Sequence, residues 1–541
     1  MLFGRFRRGQ GKVKNRQTRF RKVELSLRDL LGGGYVRAVC RARAFATGGR
    51  IRDFERMAGA KVDFFPEAFQ RRLLALLPKV GAKVSGRLSG SAGGATTAAF
   101  DERTDIAAAP VGGFGYYRIG EGGRLHFISK GEHYHVSLGH LFPGYRLLES
   151  ARALGIPNAT HNNTRGHVTR LLEEELVRAA NGIPQGDRRS LEKVLSSKGK
   201  NVLNRVLNLQ TGSLACEAAL KMMLARFHRV DTDCPAPSYK GRTPVFVVVG
   251  TREGTLGANY HGTTTLTQVL RGMWPGFRSG LEKSGLMAVR AARPDNIGDL
   301  EAVFKRYDRG RWKIAGFLHE LVMMNYGGRK LSKEFVRRAY ALCREHDVPT
   351  FADEIQSCAW SPGIFLFREY GIMPTFLAVG KGLAGGEYAA SRILFNSAFD
   401  CLPQFGALVT NGQEEIASLA YLVTMRWVQA NEEVIRAVGD YYQARLAELA
   451  ARFPRQIRSI DGDRHMGAIG FHELKTAEAF ARALRKEGLD ISVQTYKSDC
   501  PPCALTKLPL IAGFEALEMV VGKMQKVLAD LSSRKGHVKQ A

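Results

Sequence analysis

Short runs of apolar residues alternate with amphipathic helical segments from about residue 106 onward. Continuous apolar runs separated by helices are typical of strands in a parallel sheet that helices cover on both faces. Helical spacing is clear in Lys333–His346 (KEFVRRAYALCREH). We therefore predict an α/β fold whose large domain is a mostly parallel sheet flanked by helices. The strand-like runs are VFVVVG at 245–250, KIAGFL at 313–318, VPTFA at 348–352, TFLAVG at 375–380 and RILF at 392–395.

The pattern changes on both sides of this region. Toward the C-terminus it becomes helix-rich, with helices predicted over Glu414–Ala430 and Glu433–Phe453 and a strand over GAIGFHEL at 467–474. Apolar residues at helical spacing over 26–80 predict short helices. A stretch rich in Gly, Ala, Ser and Thr over 85–115 is typical of a flexible connector.

These changes predict a division of the chain into four segments, with a boundary near Asp105. The segments are a basic N-terminal extension and linker at 1–105, the N-terminal part of a small domain at 106–179, a large ligand-binding domain at 180–395 and the C-terminal part of the small α+β domain at 396–541.

The charge of the chain is strongly positive and unevenly distributed. The 541 residues include 80 Lys and Arg against 51 Asp and Glu, a net charge of +29, and the first 100 residues hold 22 basic and 6 acidic residues. A basic field attracts phosphates, nucleic acid or anionic membranes without specifying a fold. Binding of nucleic acid through residues 1–25 is therefore one alternative, and a solvated arm is the other. No aromatic-interleaved basic motif accompanies the charge.

The cysteine content and the hydropathy indicate where the protein resides. Eight cysteines, most of them scattered singly, are too few for a disulfide scaffold in a chain of this length. No run approaches the about 18 consecutive apolar residues that a membrane-spanning helix needs, and Met1–Gln10 lacks the apolar core of a secretory signal. We expect a soluble cytoplasmic protein that does not associate with membranes. A transit peptide in the acid-free residues 1–23 is the alternative.

Two residues at the ends of predicted strands carry the candidate chemistry. Asp353 ends one strand, and the next strand runs directly into Gly380-Lys381-Gly382. Ligands of open α/β sheets lie in the crevice at the carboxyl ends of the strands, so both side chains should face one cleft. A lysine amine whose pKa is lowered by burial or nearby positive charge is suited to Schiff-base chemistry.

These residues belong to a longer series of motifs that resembles the class III aminotransferases, pyridoxal-phosphate enzymes with the aspartate aminotransferase fold. The resemblance extends from about Gly113 to Leu531. It implies that pyridoxal 5'-phosphate is the cofactor and that an amino group moves between an amine or amino acid and an oxo acid or aldehyde. The motifs are SLGH at 137–140, TGSLACEAALK at 211–221, YHG at 260–262, HELV at 319–322, ADEIQ at 352–356 and GKGLAGG at 380–386.

The resemblance assigns roles to single residues. Lys381 would form the aldimine with the cofactor and carry the proton between the substrate and the cofactor. Asp353 would pair with the protonated pyridine nitrogen and keep the ring an electron sink. Gln356 would lie near the phenolic oxygen, and Tyr260 would stack on the ring.

The resemblance also implies a phosphate site and a partner subunit. Gly212 and Ser213 would lie in a turn before a helix over Glu217–Phe227, whose N-terminus would receive the cofactor phosphate. Thr410 matches a threonine that reaches the phosphate from the other subunit, which implies a homodimer with shared active sites.

The substrate is the least determined part of this interpretation. Tyr134, His135 and Glu320 are the candidates for substrate contact. Many class III members place an arginine before a Pro-Pro-Leu segment to bind the substrate carboxylate, but residues 503–510 read CALTKLPL. An aminomutase, epimerase or lyase that uses the same aldimine is therefore an alternative, as is a nucleic-acid-binding or assembly protein on a retained enzyme scaffold.

Two further clusters could suggest metal or redox chemistry. Four histidines crowd into residues 126–140, and His133 and His135 would share a strand face, but no supporting carboxylate pattern completes a zinc site and we predict no metal. The pair Cys500 and Cys503 could be redox-active, half of a metal site, or ordinary loop thiols.

Overall fold

A seven-stranded sheet forms the centre of the computed structural model, which describes residues 19–389, 391–409, 412–494 and 500–537. We number its strands β1 to β7 along the chain, and their order across the sheet is β1-β7-β6-β5-β4-β2-β3. Strands β2 to β6 run parallel, whereas β7 is antiparallel to both of its neighbours. The strands are β1 (Arg205–Leu209), β2 (Thr243–Val249), β3 (Ala288–Ala292), β4 (Trp312–Glu320), β5 (Thr350–Asp353), β6 (Phe376–Val379) and β7 (Ser391–Phe395).

The α/β prediction is confirmed, since each of the five apolar runs forms a strand of this sheet. The strands are buried along nearly their whole length because helices connect them and cover the sheet. The helices of this region are His167–Ala180, Arg188–Leu195, Gly212–Leu224, Thr265–Leu270, Pro275–Lys283, Ile297–Tyr307, Lys333–Glu345 and Phe367–Tyr370.

One edge of the sheet gathers the chain segments that matter for chemistry. Strand β4 ends at Glu320, β5 ends at Asp353, and β6 is followed by Gly380 and Lys381. Strand β1 runs in the same direction as β6, because both are antiparallel to β7, and it leads into the helix that begins at Gly212. The carboxyl ends of these four strands therefore meet at the same edge.

Two smaller sheets adjoin the central one. An antiparallel three-stranded sheet comprises Pro110–Phe114, Tyr117–Gly120 and Leu125–Phe127. A four-stranded antiparallel sheet comprises Ile457–Asp463, Met466–Phe471, Cys503–Leu505 and Ser492–Val493, in that order. Both long helices predicted before it are present, and so is the strand predicted at 467–474. The remaining helices of these parts are Arg146–Ala153, Glu415–Ala430, Glu432–Arg452, Leu474–Lys486 and Phe514–His537.

The N-terminal segment joins the main core from residue 19 onward. Phe20 and Phe65 lie with their rings 5.3 and 5.8 Å from the ring of Trp427, and the Arg21 amide donates to Asn431 Oδ1 at 2.7 Å. The burial of these aromatic rings ties residues 19–80 to the long C-terminal helices. The short helices predicted over 26–80 are present as Leu27–Leu31, Gly33–Thr47, Ile51–Gly59 and Glu67–Leu76, beside a two-stranded pair of Glu24–Leu25 and Val62–Asp63.

The connector predicted over 85–115 is exposed up to the helix Ala98–Asp101, and the three-stranded sheet begins at Pro110. Residues 1–18, which carry most of the predicted basic arm, lie outside the described residues. Among the helices that the structure describes, none is long and apolar enough to cross a membrane.

Candidate active site

A cavity of about 520 Å³ opens at the carboxyl edge of the central sheet. Most of the residues that the sequence singled out converge on it, although they come from separate strand ends and loops. Glu320 and His135, two of the three candidates for substrate contact, line the same cavity. The other predicted site residues in its wall are Gly212, Ser213, Tyr260, Asp353, Gln356 and Lys381.

Lys381 lies at the start of a short 3-10 turn, Lys381–Ala384, directly after β6. Its backbone adopts φ +36°, a left-handed conformation that non-glycine residues avoid and that is found at functional sites. Burial lowers the pKa of its amine, and the carboxylates of Glu320 and Asp353 oppose that shift only in part. A lowered pKa raises the fraction of neutral amine, which is the nucleophilic and basic form.

Asp353 is buried and held by three contacts. His261 Nδ1 donates to its Oδ2 at 2.7 Å, Cys216 Sγ lies 3.6 Å from the same oxygen, and the Ile355 amide donates to its Oδ1 at 3.1 Å. Burial raises the pKa of the Cys216 thiol well above its usual range, so the sulfur keeps its proton. The ligand-type atoms of Cys216, His261 and Asp353 lie within 4.8 Å of one another. A metal ion bound to all three would require Cys216 to be a thiolate rather than a thiol.

His261 is the site residue that the sequence interpretation missed. The motif Tyr260-His261-Gly262 was noted, but only the tyrosine was given a role. The histidine and the aspartate are 92 positions apart in the sequence, so no local pattern shows that they pair. The Nε2 atom of His261 is buried and has no hydrogen-bond partner within the described part of the chain.

The N-terminus of the helix Gly212–Leu224 forms part of the cavity wall. The sequence placed Gly212 and Ser213 in a turn before a helix over Glu217–Phe227, and this boundary is wrong because both residues belong to the first helical turn. Their amides are among the four at a helix N-terminus that have no acceptor within the helix. Ser213 Oγ accepts from the Thr263 amide at 3.0 Å.

Two glycines allow close packing at this helix end. A Cβ on Gly212 would overlap Ile355 Cδ1, and a Cβ on Gly262 would lie 2.7 Å from Ser213 Cα. Gly262 also has φ +124°, a region that side chains rarely allow. The close backbone approach therefore requires glycine at both positions.

Gln356 and Tyr260 complete the walls. The Gln356 Oε1 atom is buried and has no hydrogen-bond partner among the residues described. Tyr260 is half-buried, and its ring lies 5.3 Å from the guanidinium of Arg271. Both are positioned to contact a ligand in the cavity.

The segment before SLGH differs from its predicted form. Gly131–Tyr134 is a single turn of left-handed helix rather than a strand, with φ values of 52°, 47°, 60° and 75°. The turn directs His133 and His135 into the cavity, whereas Tyr134 is buried beneath it. The Tyr134 ring lies 5.4 Å from the Lys381 ammonium. His135 thus lines the cavity as predicted for a substrate contact, and Tyr134 does not.

Lys507 is a second buried lysine beside the site. Its ammonium donates to the carbonyl oxygens of Gln356 and Tyr134 and lies 3.8 Å from the centroid of the Trp360 indole. Burial and the nearby Lys381 lower its pKa well below the usual range. It belongs to the segment 503–510 that lacks the expected arginine, and its position is not apparent from that sequence.

The cysteine pair does not line the cavity, and Thr410 cannot be placed relative to it. Cys500 Sγ and Cys503 Sγ are buried and lie 2.9 and 3.7 Å from Gln494 Oε1. Thr410, assigned to the phosphate of a partner subunit, lies outside the described residues.

The chain is similar to known proteins in both sequence and fold. The sequence profile of the family described as aminotransferase class-III matches residues 177–528. The 5-aminovalerate aminotransferase of Pseudomonas aeruginosa is 28% identical over 263 residues, which cover 46% of this chain and 56% of that protein. The 4-aminobutyrate aminotransferase of Escherichia coli is 28% identical over 299 residues, which cover 53% of this chain and 66% of that protein. The alignments thus span between about half and two thirds of these curated relatives.

Solved structures show the same fold. The ornithine aminotransferase of Toxoplasma gondii superposes with a TM-score of 0.64 at 18% identity and covers 81% of this chain and 95% of its own. The acetylornithine aminotransferase of Elizabethkingia anophelis gives a TM-score of 0.60 at 17% identity, with 85% and 99% covered. At this level of identity the similarity establishes the fold alone.

Proposed function

Since the chain belongs to the class-III aminotransferase family, we propose that it is a pyridoxal-phosphate-dependent aminotransferase acting on an amine or amino acid. One observation carries the proposal. The Lys381 amine and the Asp353 carboxylate follow adjacent strands, β6 and β5, and both line the cavity that the helix end at Gly212 closes. A reactive amine, a buried acid and an anion-binding helix end are the three parts that this cofactor requires.

The residues present fit the cofactor. The cavity wall at Gly212 and Ser213 suits a phosphate, because amides at the helix N-terminus and the helix dipole favour an anion there. The buried Gln356 side chain offers its amide to the phenolic oxygen, and Tyr260 offers a ring face. Asp353, fixed by His261, offers a carboxylate to a protonated ring nitrogen.

When bound, pyridoxal phosphate supplies a carbonyl that reacts with amines and a ring that withdraws electrons from the adjacent carbon. The protein supplies the groups that hold it and move protons. Lys381 Nζ would be the attachment point for the cofactor and the group that accepts and returns a proton at the reacting carbon. Its lowered pKa leaves a larger fraction of the amine unprotonated near neutral pH and so available as a base. Asp353 keeps a proton on the ring nitrogen, and His261 donates to Asp353 to hold its carboxylate in place.

Glu320 and His135 are the proposed substrate contacts. Glu320 is buried at the end of β4, and His135 directly follows the left-handed turn and lines the same cavity. A carboxylate and an imidazole in the wall suit an amine or hydroxyl on the substrate better than a second carboxylate. Relatives named for 5-aminovalerate, 4-aminobutyrate and ornithine suggest these amines as the first donors to test.

We further propose a homodimer in which Thr410 reaches the partner's cavity, and a cytoplasmic location. Apolar side chains exposed near the cavity support association between subunits. Met273, Trp274 and Phe277 are 43, 55 and 49% exposed on a segment that follows Arg271, which contacts Tyr260. Sedimentation equilibrium of the purified protein tests the dimer, and a monomer at micromolar concentration contradicts it.

The activity is tested by loading the purified protein with pyridoxal phosphate and adding each amine without an acceptor. An aminotransferase must convert the bound cofactor to its amine form and release the matching oxo product, one equivalent per site. Lys381→Ala should abolish both the bound-cofactor absorbance and the conversion, whereas Lys333→Ala, at an exposed helix start, should change neither. Isomerised or eliminated product without the amine form of the cofactor would contradict transamination.

A further inference from the structure

The left-handed turn Gly131–Tyr134 is the most strained feature of the candidate active site. The Tyr134 amide donates to the Lys130 carbonyl at 2.7 Å and the His135 amide to the Gly131 carbonyl at 3.0 Å, so the segment is a closed helical turn of the wrong hand. Only Gly131 is a residue for which this hand is free of steric cost. Glu132, His133 and Tyr134 carry side chains and nevertheless adopt this left-handed conformation. Such a conformation persists only where surrounding contacts hold it in place.

A buried ionic network holds the turn at Glu132. Its carboxylate pairs with the guanidinium of Arg118 through Oε2 and lies 3.0 Å from His140 Nε2 through Oε1. Arg118 also bonds Asp490 at 3.0 Å, and Lys130 bonds the same carboxylate at 3.2 Å. Burial opposes ionisation of Glu132, but His140 and Arg118 outweigh it and lower the pKa of the carboxyl group.

The partners of Glu132 are anchored independently of the turn. Arg118 lies on the strand Tyr117–Gly120, and His140 exchanges two backbone hydrogen bonds of 2.7 Å with Gly115. Asp490 comes from the segment after the helix Leu474–Lys486. The side chains of Arg118 and Asp490 are less than a tenth exposed, so the network is fixed within the fold.

The turn places two imidazoles in the wall of the cavity that Lys381 also lines. His133 and His135 both line it and both remain exposed to solvent, and partial burial together with the Lys381 ammonium lowers the pKa of His133 to about 4. The other charged or titratable groups around His133 are Lys130, His135 and Lys507. Both imidazoles are therefore neutral near pH 7 and present hydrogen-bonding nitrogens to the cavity.

We propose that Glu132 is a positioning residue whose ion pair with Arg118 and contact with His140 hold the left-handed turn and thereby keep His133 and His135 directed at the cavity that Lys381 lines. This inference deepens the proposed function, because it concerns the same cavity. Loss of the Glu132 charge should let the turn relax and carry His133, which is already exposed to solvent, away from Lys381.

The test is the pH dependence of hydrogen–deuterium exchange at the imidazole C2 position, followed for each histidine by mass spectrometry on the full chain. In Glu132→Gln the titration midpoint of His133 should rise by at least one unit from about 4 toward 6.5. The matched control Glu67→Gln removes an exposed ion pair with Arg71 and should leave that midpoint unchanged. His472, on a distant loop, is the internal reference.

Activity gives a second readout. If the proposed function holds, KM for the amine in Glu132→Gln should rise about tenfold with a smaller change in kcat, the loss expected for one charged hydrogen bond. His140→Gln leaves the ion pair between Glu132 and Arg118 intact and should raise the titration midpoint of His133 by a smaller amount. This variant replaces Glu132→Gln in the test if Glu132→Gln does not fold. A His133 midpoint identical to wild type in a folded variant overturns the inference. An inactive wild type with the exchange shift intact would overturn only the proposed function.

Discussion

Glu354, the residue after the candidate catalytic aspartate, should make the stability of this protein fall between acid and neutral pH. It is fully buried, and its carboxyl group accepts from the amides of Leu366 and Phe367 at 2.8 and 2.6 Å and from Ser357 Oγ at 3.2 Å. Burial nevertheless raises its pKa to about 7, because three hydrogen bonds do not replace the solvation of the charged form and Asp353 is adjacent.

The size and sign of the effect follow from that pKa. A free glutamate titrates near 4.5, so between pH 4.5 and 7 the folded protein binds a proton that the unfolded chain has released. The unfolding free energy must therefore fall as pH rises through this window. A difference of roughly 2.5 pKa units corresponds to a loss of ~3 kcal/mol, which is fully developed above pH 7.

Glu354→Gln removes this titration while its amide oxygen can still accept from the two backbone amides. Urea unfolding of wild type and variant at pH 4.5, 6 and 7.5 measures the unfolding free energy of each protein. The stability of the variant relative to wild type should increase by about 3 kcal/mol from the lowest to the highest pH. Glu334→Gln, on the exposed face of the helix Lys333–Glu345, controls for loss of a carboxylate at the surface. Parallel stability curves for wild type and Glu354→Gln would refute the reasoning.

Four further changes test the packing, the site and the N-terminal residues. Gly382→Ala should destabilise the fold by about 1–3 kcal/mol in urea unfolding and reduce cofactor binding, because a Cβ there overlaps the fully buried Trp360 indole; unchanged stability would contradict that contact. His261→Asn should weaken cofactor binding about tenfold in a spectroscopic titration, since a shorter side chain cannot fix the aspartate, and equal affinity would argue against its role. Phe65→Ala should cost about 3–5 kcal/mol in the same unfolding assay. Deletion of residues 1–18 should reduce salt-dependent binding to polyanions, and equal binding by the full chain and the shortened chain would contradict this.

Local patterns in the sequence were sufficient to identify the core of the fold and the two residues that carry the proposed chemistry. The five apolar runs became strands because a continuous apolar run of that length can be buried only inside a covered sheet. Asp353 and Lys381 were found because each directly follows such a run, and the ends of parallel strands necessarily share an edge. Both inferences require information from only a few neighbouring residues.

The tertiary structure alone decided the features that depend on partners distant in the sequence. His261 pairs with an aspartate 92 positions away, and Lys507 lies beside the cavity only because the C-terminal sheet packs there. The left-handed turn at 131–134 contradicts the local preference of its residues, since L-amino acids disfavour that hand. It is stabilised by the Arg118 guanidinium and the His140 imidazole that the fold brings to Glu132, and contacts of this kind leave no periodic signal in a sequence.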